Sequence, residues 1–263
     1  MKPKIVTTND IRKLMTAIDN LLNRPQHTEG MGLLWGEPGT GKTQAIAKVA
    51  VTYKAIYLTA KNSWTPSSML GDLCKALGGK RKQKRADMVD FIVEKLTCGG
   101  QPLRPIIIDE ADYCFKRFDM VDDLRDIYDV SKCPVILAGM ENIAREIREH
   151  GRIARRITQW VEFRGFDLED TTKMINEVCD VAVEEDLIRY IHQQTLGNAG
   201  RIRNAILMIE QYAEPSGITR FGMKHLDGRP LYFDQPDFTK RRAELAVTAR
   251  DILKGPKNGE KER

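Results

Sequence analysis

Long apolar runs, aromatic residues and paired cysteines are all scarce in this sequence of 263 residues, in which aromatics make up 7%. No apolar run approaches the roughly 18–20 residues that are needed to cross a bilayer, and the first ten residues, MKPKIVTTND, lack the apolar stretch of a secretory signal. We therefore expect a cytosolic protein that makes no contact with a membrane.

The cysteines and histidines show no pattern typical of a metal or disulfide site. The five cysteines are scattered, are odd in number and include no C-x-x-C pair, and the four histidines lie far apart. This spacing argues against a disulfide framework and against a zinc site. We expect ordinary reduced thiols.

The remaining composition is that of a folded protein with a mild positive charge. Hydrophobic residues make up 41% and charged residues 30%, close to the averages of globular proteins. The formal net charge is +5, so the placement of basic residues matters more than their total. The length suits one core and one small additional domain, because domains usually run about 100–200 residues.

Short apolar segments alternate with helical ones in the first two thirds of the chain. Residues 10–23 have apolar positions at helical spacing behind Thr8 and Asn9, which are suitable helix caps. Candidate strands are residues 32–35, 55–58, 106–108, 135–138 and 160–163. Strands interleaved with helices predict a parallel α/β sheet.

A glycine-rich phosphate-binding loop follows the first predicted strand. The segment GEPGTGKT fits the pattern G-x-x-x-x-G-K-[ST] and leads into a helix, which is the context that this motif requires. Its backbone N–H groups would face phosphate oxygens, Lys42 would reach the β- and γ-phosphates, and Thr43 would hold Mg²⁺. The predicted nucleotide-binding residues here are Gly36, Glu37, Pro38, Gly39, Thr40, Gly41, Lys42, Thr43 and Gln44.

The second half of the predicted site is an apolar strand that ends in acidic residues, IIIDEAD. Asp109 would complete the Mg²⁺ shell, and Glu110 would orient the attacking water, because phosphoryl transfer depends mostly on positioning and charge stabilisation. The two motifs together predict a Mg²⁺-dependent ATPase. A helicase is disfavoured, since a second similar domain would not fit in the remaining length.

Arginines further along the chain predict an AAA+ ATPase, in which neighbouring subunits share active sites. In GRIARRI, just before the last strand, Arg156 is the first choice and Arg155 the second for an arginine that reaches a neighbour's ATP. In GNAGRIR, Arg201 would reach the phosphates of its own subunit. The alternatives are a solvated basic helix end for the first segment, and a helix cap with surface arginines for the second.

The chain is thus predicted to be an α/β protein with an AAA+ P-loop core, a small helical lid and a flexible tail. We expect the core over residues 1–164 and the lid over 165–232, with lid helices near 168–179, 184–195 and 200–213. The tail, residues 233–263, has a possible helix at 240–253 and ends in the polar GPKNGEKER.

The order and spacing of these segments resemble the ATPases that select target DNA for transposition, the group of the phage Mu B protein and the TnsC and TniB proteins. The resemblance covers roughly residues 3–213 and includes GEPGTGKTQAI, AIYLTA, SWTPSSML, IIIDEAD, VILAG and the R-R-I element. It implies an ATP-dependent homo-oligomeric filament on double-stranded DNA in a bacterial or phage-infected cytoplasm. It also implies recruitment and stimulation of a DDE-type transposase, and release on ATP hydrolysis.

One position departs from that group. Its members place Asn or Thr after the V-x-L-x-G strand, where the side chain senses the γ-phosphate, whereas this chain has Met140. Glu141 or Asn142 would need a shifted loop to replace it. We therefore expect slow hydrolysis, or water held mainly by Glu110.

A run of cations supplies the predicted DNA contacts, Lys80, Arg81, Lys82, Lys84 and Arg85. The transposition ATPases carry DNA contacts in this region between the second and third strands, although a charge run is otherwise most often a solvated face. No aromatic residue is interleaved, so contact with a duplex backbone is favoured over base stacking on a single strand. The tail segment TKRR could bind DNA or a partner, or keep the terminus in solution.

Two rivals to the transposition ATPase remain. The first is an initiator-like or helicase-loading AAA+ protein, which commonly carries a winged-helix domain after the lid, for which the segment from about residue 217 is too short and polar. The second is a nucleotide-gated interaction ATPase without a DNA role, a class that usually carries a membrane segment or a peptidoglycan-binding domain.

Overall fold

A five-stranded parallel sheet forms the centre of the molecule in the computed structural model, which describes residues 1–98 and 103–232. The strand order is β2-β3-β4-β1-β5. The strands are β1 (Met31–Gly36), β2 (Ile56–Thr59), β3 (Ile106–Asp109), β4 (Val135–Gly139) and β5 (Ile157–Phe163).

Helices cover both faces of this sheet and form a separate group after it. In the first 164 residues they are α1 (Asn9–Leu22), α2 (Lys42–Thr52), α3 (Pro66–Ala76), α4 (Arg85–Thr97), α5 (Asp112–Phe115), α6 (Asp119–Ser131), α7 (Glu141–Glu149) and α8 (Gly151–Ala154). Those that follow are α9 (Leu168–Val178), α10 (Glu185–Thr195) and α11 (Ala199–Ala213).

The centre of the sheet is buried on both sides because β1, β3 and β4 are apolar in nearly every position. β3 and β4 are buried throughout, as expected for central parallel strands. Ile106 and Ile108 pack towards α3, α4 and α6, whereas Ile107 packs towards α1 and α2. The same alternation turns Asp109, two residues after Ile107, towards α2 and the glycine-rich loop.

Local sequence fixes the helix starts. Thr8 caps α1, its hydroxyl accepting from the backbone N–H of Ile11 at 3.3 Å. Thr65 and Ser68 form a reciprocal capping box at the start of α3, with Pro66 in the first turn. Trp64, next to that cap, is 4% exposed and donates its indole N–H to Asp72 at 3.0 Å.

The lid has its own apolar core, formed by α9, α10 and α11. It also contains a two-stranded parallel ribbon of β6 (Ala182–Val183) and β7 (Arg220–Phe221), which the sequence analysis missed because each strand is too short to show a period. Val6 is 6% exposed and belongs to the lid core, so the segment before α1 lies against the lid.

The predicted α/β class with a parallel sheet flanked by helices is confirmed, and each predicted strand and lid helix agrees with an observed element to within a few residues. The predicted tail, residues 233–263, with its helix at 240–253 and the TKRR segment, lies outside the described residues.

Candidate nucleotide site

The glycine-rich loop between β1 and α2 has the backbone that a phosphate cradle needs. Gly39 and Gly41 have φ values of +81° and +94°, in the left-handed region where a side chain would be strained. Gly41 is the N-cap of α2 and Lys42 its first residue. The free N–H groups of this helix start therefore face the loop, and they favour an anion there.

Lys42 is held over the loop by the loop's own backbone. Its Nζ donates to the carbonyl oxygens of Gly36 and Glu37, both at 2.8 Å. Burial lowers the pKa of Lys42, although nearby carboxylates, Asp109 foremost, oppose this effect. A phosphate oxygen bound on the loop could therefore replace these carbonyl oxygens as the acceptor for the Lys42 ammonium.

Asp109 and Glu110 stand at the carboxyl end of β3, where ligands bind in open α/β sheets. Asp109 is 3% exposed, and its Oδ1 accepts from the Glu110 N–H at 2.9 Å. The Tyr57 hydroxyl donates to its Oδ2 at 3.3 Å. Burial raises the pKa of Glu110, and the charges of Asp109 and Asp112 add to this effect. A cation or a proton at this corner would relieve the repulsion between these carboxylates.

These elements enclose a cavity of about 280 Å³ between the loop, the ends of β3 and β4, and the start of α11. Its lining is Pro38, Gly39, Gly41, Lys42, Thr43, Gln44, Asp109, Glu110, Gly139, Met140, Ala199, Gly200 and Arg203. The structure thus brings most of the predicted nucleotide-site residues to one cavity. Gly36 and Glu37 contribute through Lys42, and the Thr40 hydroxyl stiffens the loop by donating to the Glu37 carbonyl at 2.8 Å.

The donors around this cavity fit Mg²⁺ bound together with a nucleotide. Thr43 and Asp109 both line it, and Mg²⁺ commonly takes one or two protein oxygens and completes its shell with phosphate and water. In the described ranges 1–98 and 103–232, no group of three or more His, Cys, Asp or Glu side chains could hold a metal ion on its own. The oxygens of Thr43 and Asp109 therefore fit a Mg²⁺ ion that is bound together with a nucleotide.

A narrow apolar cleft of about 20 Å³ adjoins the main cavity and shares Gly41, Gln44 and Arg203 with it. The remaining lining comes from residues before α1, from Ile11 in α1, from Thr40 of the glycine-rich loop, from β5 and from the lid. Its apolar walls are Ile5, Val6, Ile11, Phe163, Phe166, Met174 and Val178. This volume holds about one water, so a nucleotide base would enter between core and lid only if the cleft widened.

The lid closes directly on the glycine-rich loop. The Asn198 side chain donates to the Pro38 carbonyl at 3.1 Å, and the Gly200 N–H donates to the Gly39 carbonyl at 3.3 Å. The start of α11 is therefore fixed against the phosphate-binding loop by both side chain and backbone.

The structure does not bring Arg201 into the cavity. The Arg201 guanidinium lies over the ring of Tyr232, 5.1 Å from its centroid, whereas Arg203 lines the cavity. Helix geometry explains why Arg203, and not Arg201, lines the cavity. Arg203 follows the cavity-lining Ala199 and Gly200 by four and three residues and shares their face of α11. That spacing was visible in the sequence and would have identified Arg203.

The structure also argues against Arg156 as the arginine that reaches a neighbour. Arg156 is 9% exposed, and its Nε and Nη2 donate to the two carboxylate oxygens of Asp129 at 2.8 and 2.5 Å. Its Nη1 donates to the Arg152 carbonyl at 2.6 Å. Arg156 would have to break all these bonds to leave, whereas Arg155 is exposed. The second choice, Arg155, is therefore the better candidate.

Met140 stands at the cavity edge, at the end of β4, and is 45% exposed. Glu141 and Asn142 are exposed in the first turn of α7 and do not line the cavity. Neither of them therefore supplies the polar side chain that position 140 lacks. The acceptor present here is Asp112, which takes the Met140 N–H with Oδ1 at 3.2 Å and Oδ2 at 3.0 Å.

The predicted DNA-contact residues are all exposed, on the connection between α3 and α4 and at the start of α4. Their partners differ: Arg81 donates to the Ser67 hydroxyl at 3.2 Å, Lys82 lies 5.2 Å from the Phe91 ring centroid, and Arg85 pairs with Asp123 at 2.8 Å. Lys80 and Lys84 make no ion pair within the described part of the chain. These two lysines are thus the most available to an external anion.

This basic segment lies towards the carboxyl ends of the strands, the same end of the sheet at which the cavity lies. Arg81 contacts Ser67 in the first turn of α3, and Arg85 contacts Asp123 in the first turns of α6. Both helices start beyond the carboxyl ends of strands, α3 after β2 and α6 after β3.

Residues 24–147 match the family model described as an AAA domain, whose members are usually ATPases. This match covers β1 to β4 and most of α7. The α/β fold is that of an AAA+ P-loop ATPase core.

Several solved structures share this fold at low sequence identity. The Aeropyrum pernix Orc1 protein, solved in complex with DNA, matches with a TM-score of 0.60 at 18% identity, over 86% of this chain and 65% of that one. Cdc6p from Pyrobaculum aerophilum gives 0.62 at 16% identity, over 83% and 66%. The A. pernix Orc2 protein in its ADP form gives 0.61 at 14% identity, over 87% and 69%. The chain thus spans about two thirds of the length of these proteins.

Comparison with curated protein sequences finds no match. Among the helices within residues 1–98 and 103–232, none is both long and apolar enough to cross a membrane.

Proposed function

We propose that this protein is a Mg²⁺-dependent ATPase that assembles on double-stranded DNA and delivers that DNA to a transposase, which it stimulates. The observation that carries the ATPase part is the single cavity that gathers Lys42, Thr43, Asp109 and Glu110 under a lid arginine, Arg203. Each of these groups has a role in phosphoryl transfer that its chemistry supports.

In this proposal the nucleotide phosphates lie on the glycine-rich loop. The base lies between core and lid after the adjoining apolar cleft has widened, because that cleft now holds only about one water. Mg²⁺, held by Thr43 and Asp109, would neutralise phosphate charge, and Glu110 would orient the attacking water. Arg203 would contact the phosphates from the lid, and Arg155 would complete the site of a neighbouring subunit. Arg155 can do so because it is exposed, unlike Arg156.

The DNA part is supported by the exposed basic segment and its position. The five cations lie towards the same end of the sheet as the cavity. Nucleotide and DNA would therefore bind to the same side of the protein. Each cation that neutralises a phosphate releases counterions, so affinity should fall steeply with salt and depend little on sequence.

An initiator-like role is the second candidate, and a specific observation favours it. The A. pernix Orc1 protein, whose fold this chain shares, was solved in complex with DNA. The sequence resemblance to transposition ATPases and the structural similarity to Orc1 and Cdc6p support the two roles about equally. Both roles require nucleotide and duplex DNA, and they differ in what the assembly recruits.

The first experiment is electron microscopy of the protein with duplex DNA, with ATP, with a non-hydrolysable analogue and without nucleotide. Nucleotide-dependent filaments on DNA that disappear in Lys42→Ala would support the transposition role. Discrete rings that are indifferent to DNA would contradict it, and would favour a loader or an interaction ATPase.

The DNA surface is tested by the double change Lys80→Glu and Lys84→Glu, measured by duplex binding at several salt concentrations. We expect weaker binding and a slope of log K against log salt that is shallower by about 1–2. The matched control is Lys54→Glu with Lys224→Glu, which makes the same charge change at exposed lysines elsewhere. Equal losses in both variants would refute the assignment of this segment.

A further inference from the structure

The helix α7 begins at the cavity with a residue that cannot cap it. Met140 is the N-cap of α7, in an extended backbone conformation, and its side chain makes no capping hydrogen bond. N-caps are usually Ser, Thr, Asp or Asn, because a side-chain oxygen can accept from the first N–H groups. A thioether is a poor substitute, so the side chain of Met140 does not fix the chain at the start of α7.

Asp112, just after β3, accepts instead from the backbone N–H of the N-cap residue, the bond that a Glu or Gln side chain makes in a capping box. Both of its carboxylate oxygens accept from the Met140 N–H, at 3.2 and 3.0 Å. Its carboxylate also lies against Gly139, where an added Cβ would be only 2.9 Å from the Asp112 Cγ. A carboxylate at a helix start is favoured by the helix dipole as well. Asp112 thus joins the end of β3 to the start of α7.

A second bond reinforces this connection. The Ala111 N–H donates to the Ala138 carbonyl at 2.7 Å. The turn that presents Glu110 is therefore bonded to the end of β4 through the two residues that follow it. Asp112 does not itself line the cavity, whereas Glu110, Gly139 and Met140 do.

We propose that Asp112 is a positioning residue for ATP hydrolysis, which fixes the cavity wall formed by Gly139 and Met140 relative to Glu110. This inference rests on the proposed ATPase function. Position 140 lacks a polar side chain, so the geometry of this wall is set by the carboxylate of Asp112. A displacement of about 1 Å at a reacting centre can lower the rate about 100-fold, so loss of this restraint should be visible in turnover.

The rival explanation is that Asp112 is only a structural acid that stabilises the start of α7. That role predicts a loss of stability, with nucleotide affinity and turnover falling together as the folded fraction falls. A positioning role predicts that turnover falls while the bound nucleotide is retained, because no hydrogen bond or ion pair joins Asp112 to Lys42 or the loop in the described residues. The charge of Asp112 does act on Lys42 and Glu110. Asp112→Asn removes that charge and keeps an acceptor, so it separates the loss of charge from the loss of the bond.

The test compares Asp112→Ala and Asp112→Asn with wild type and with Asp90→Ala, an exposed acid on α4 that serves as the matched control. Nucleotide affinity is measured with a fluorescent ATP analogue, turnover by single-turnover hydrolysis, and stability by thermal unfolding. Amide hydrogen exchange at Met140 reports the bond itself.

For Asp112→Ala we expect turnover to fall about 10- to 100-fold while Kd changes less than about threefold, with faster amide exchange at Met140. Asp112→Asn keeps a carbonyl oxygen that can accept from Met140, so turnover should stay within about tenfold of wild type. Asp90→Ala should match wild type.

Unchanged turnover in Asp112→Ala, or unchanged amide exchange at Met140, would overturn the inference while leaving the ATPase function standing. If Asp112→Ala fails to fold, Asp112→Asn becomes the deciding variant. A fall in its turnover beyond about tenfold, at a Kd equal to that of wild type, would also overturn the inference. Failure of the wild type itself to hydrolyse ATP would instead refute the proposed function.

Discussion

The pair of adjacent arginines before β5 gives the sharpest prediction, because the structure places them in opposite environments. Arg156 is buried in a two-bond ion pair with Asp129, and Arg155 is exposed. Arg156→Ala should therefore destabilise the fold, whereas Arg155→Ala should leave stability unchanged and lower ATPase activity in the assembled protein.

The size of the stability loss follows from the bonds removed. Arg156 donates to both carboxylate oxygens of Asp129 and to the Arg152 carbonyl. Breaking a fully buried pair costs about 3–5 kcal/mol, but the Asp129 side chain is 32% exposed, so water can partly replace the arginine. We expect a loss of about 2 kcal/mol in the free energy of unfolding, or about 4–8 °C in Tm for a chain of this size. Arg155→Ala should fall within about 0.5 kcal/mol of wild type.

The pH dependence provides an independent check on the same pair. The hydrogen bonds from Arg156 hold the pKa of Asp129 below its usual range. A carboxyl group whose pKa is lower in the folded state contributes stability above its unfolded pKa, about 3.9, and loses that contribution as pH falls through the folded value. The stability gap between wild type and Arg156→Ala should therefore be largest near neutral pH and shrink below about pH 4.

The role of Arg155 in a neighbouring subunit's site is tested by mixing two variants in equal amounts. Arg155→Ala should lower ATPase activity of the assembly by about 10³–10⁵, the range seen for arginines supplied by a neighbouring protein. Mixed with Glu110→Gln subunits, it should regain activity at about a quarter of the interfaces, since each interface draws one half-site from each subunit. Full activity in Arg155→Ala, or a loss in Arg156→Ala with wild-type stability, would refute the assignment.

Three further predictions concern the cavity and the basic segment. Arg203→Ala should weaken ATP binding about 10- to 100-fold in a fluorescence titration, as expected for one lost charge-assisted bond to phosphate. Arg201→Ala should bind ATP nearly as well as wild type. A larger loss in Arg201→Ala than in Arg203→Ala would contradict the placement of these arginines on α11. Gly139→Ala should displace Asp112 and cost about 1–3 kcal/mol in chemical denaturation, and an unchanged midpoint would show that the close contact is relaxed at no cost. Lys84→Ala should lower duplex DNA affinity more than Arg85→Ala, because Arg85 is paired with Asp123, and equal effects in a salt titration would contradict this.

The sheet and the phosphate-binding loop were predictable because their signals are local. Apolar runs such as IIID and VILAG, separated by helical segments, determine buried parallel strands, and G-x-x-x-x-G-K-[ST] determines the loop backbone. The lid helices followed from the same periodicity. The ribbon of β6 and β7 was missed because its pairing links residues far apart in the chain, through only two residues on each side.

The arginines show what the sequence alone leaves undecided about this site. R-R-I marks a basic segment before a strand, but only the tertiary structure places Asp129 of α6 against Arg156 and not against Arg155. In GNAGRIR the sequence analysis selects the arginine nearest the cap, whereas the 3.6-residue period places Arg203 on the same face as Ala199. The first case needed coordinates, and the second needed only helix geometry.

The backbone at Glu110 connects the predicted motif to the interactions that the sequence did not reveal. Glu110 has a φ of +54°, a left-handed conformation that costs a residue with a side chain about 1 kcal/mol or more. The bonds from Ala111 to Ala138 and from Met140 to Asp112 draw the chain sharply towards β4 immediately after β3, and this conformation allows the turn. Each such bond contributes about 0.5–3 kcal/mol, enough to offset the strain. The orientation of the Glu110 carboxylate is thus determined by interactions beyond β3 itself, which is why we infer that Asp112 matters for turnover although it does not line the cavity.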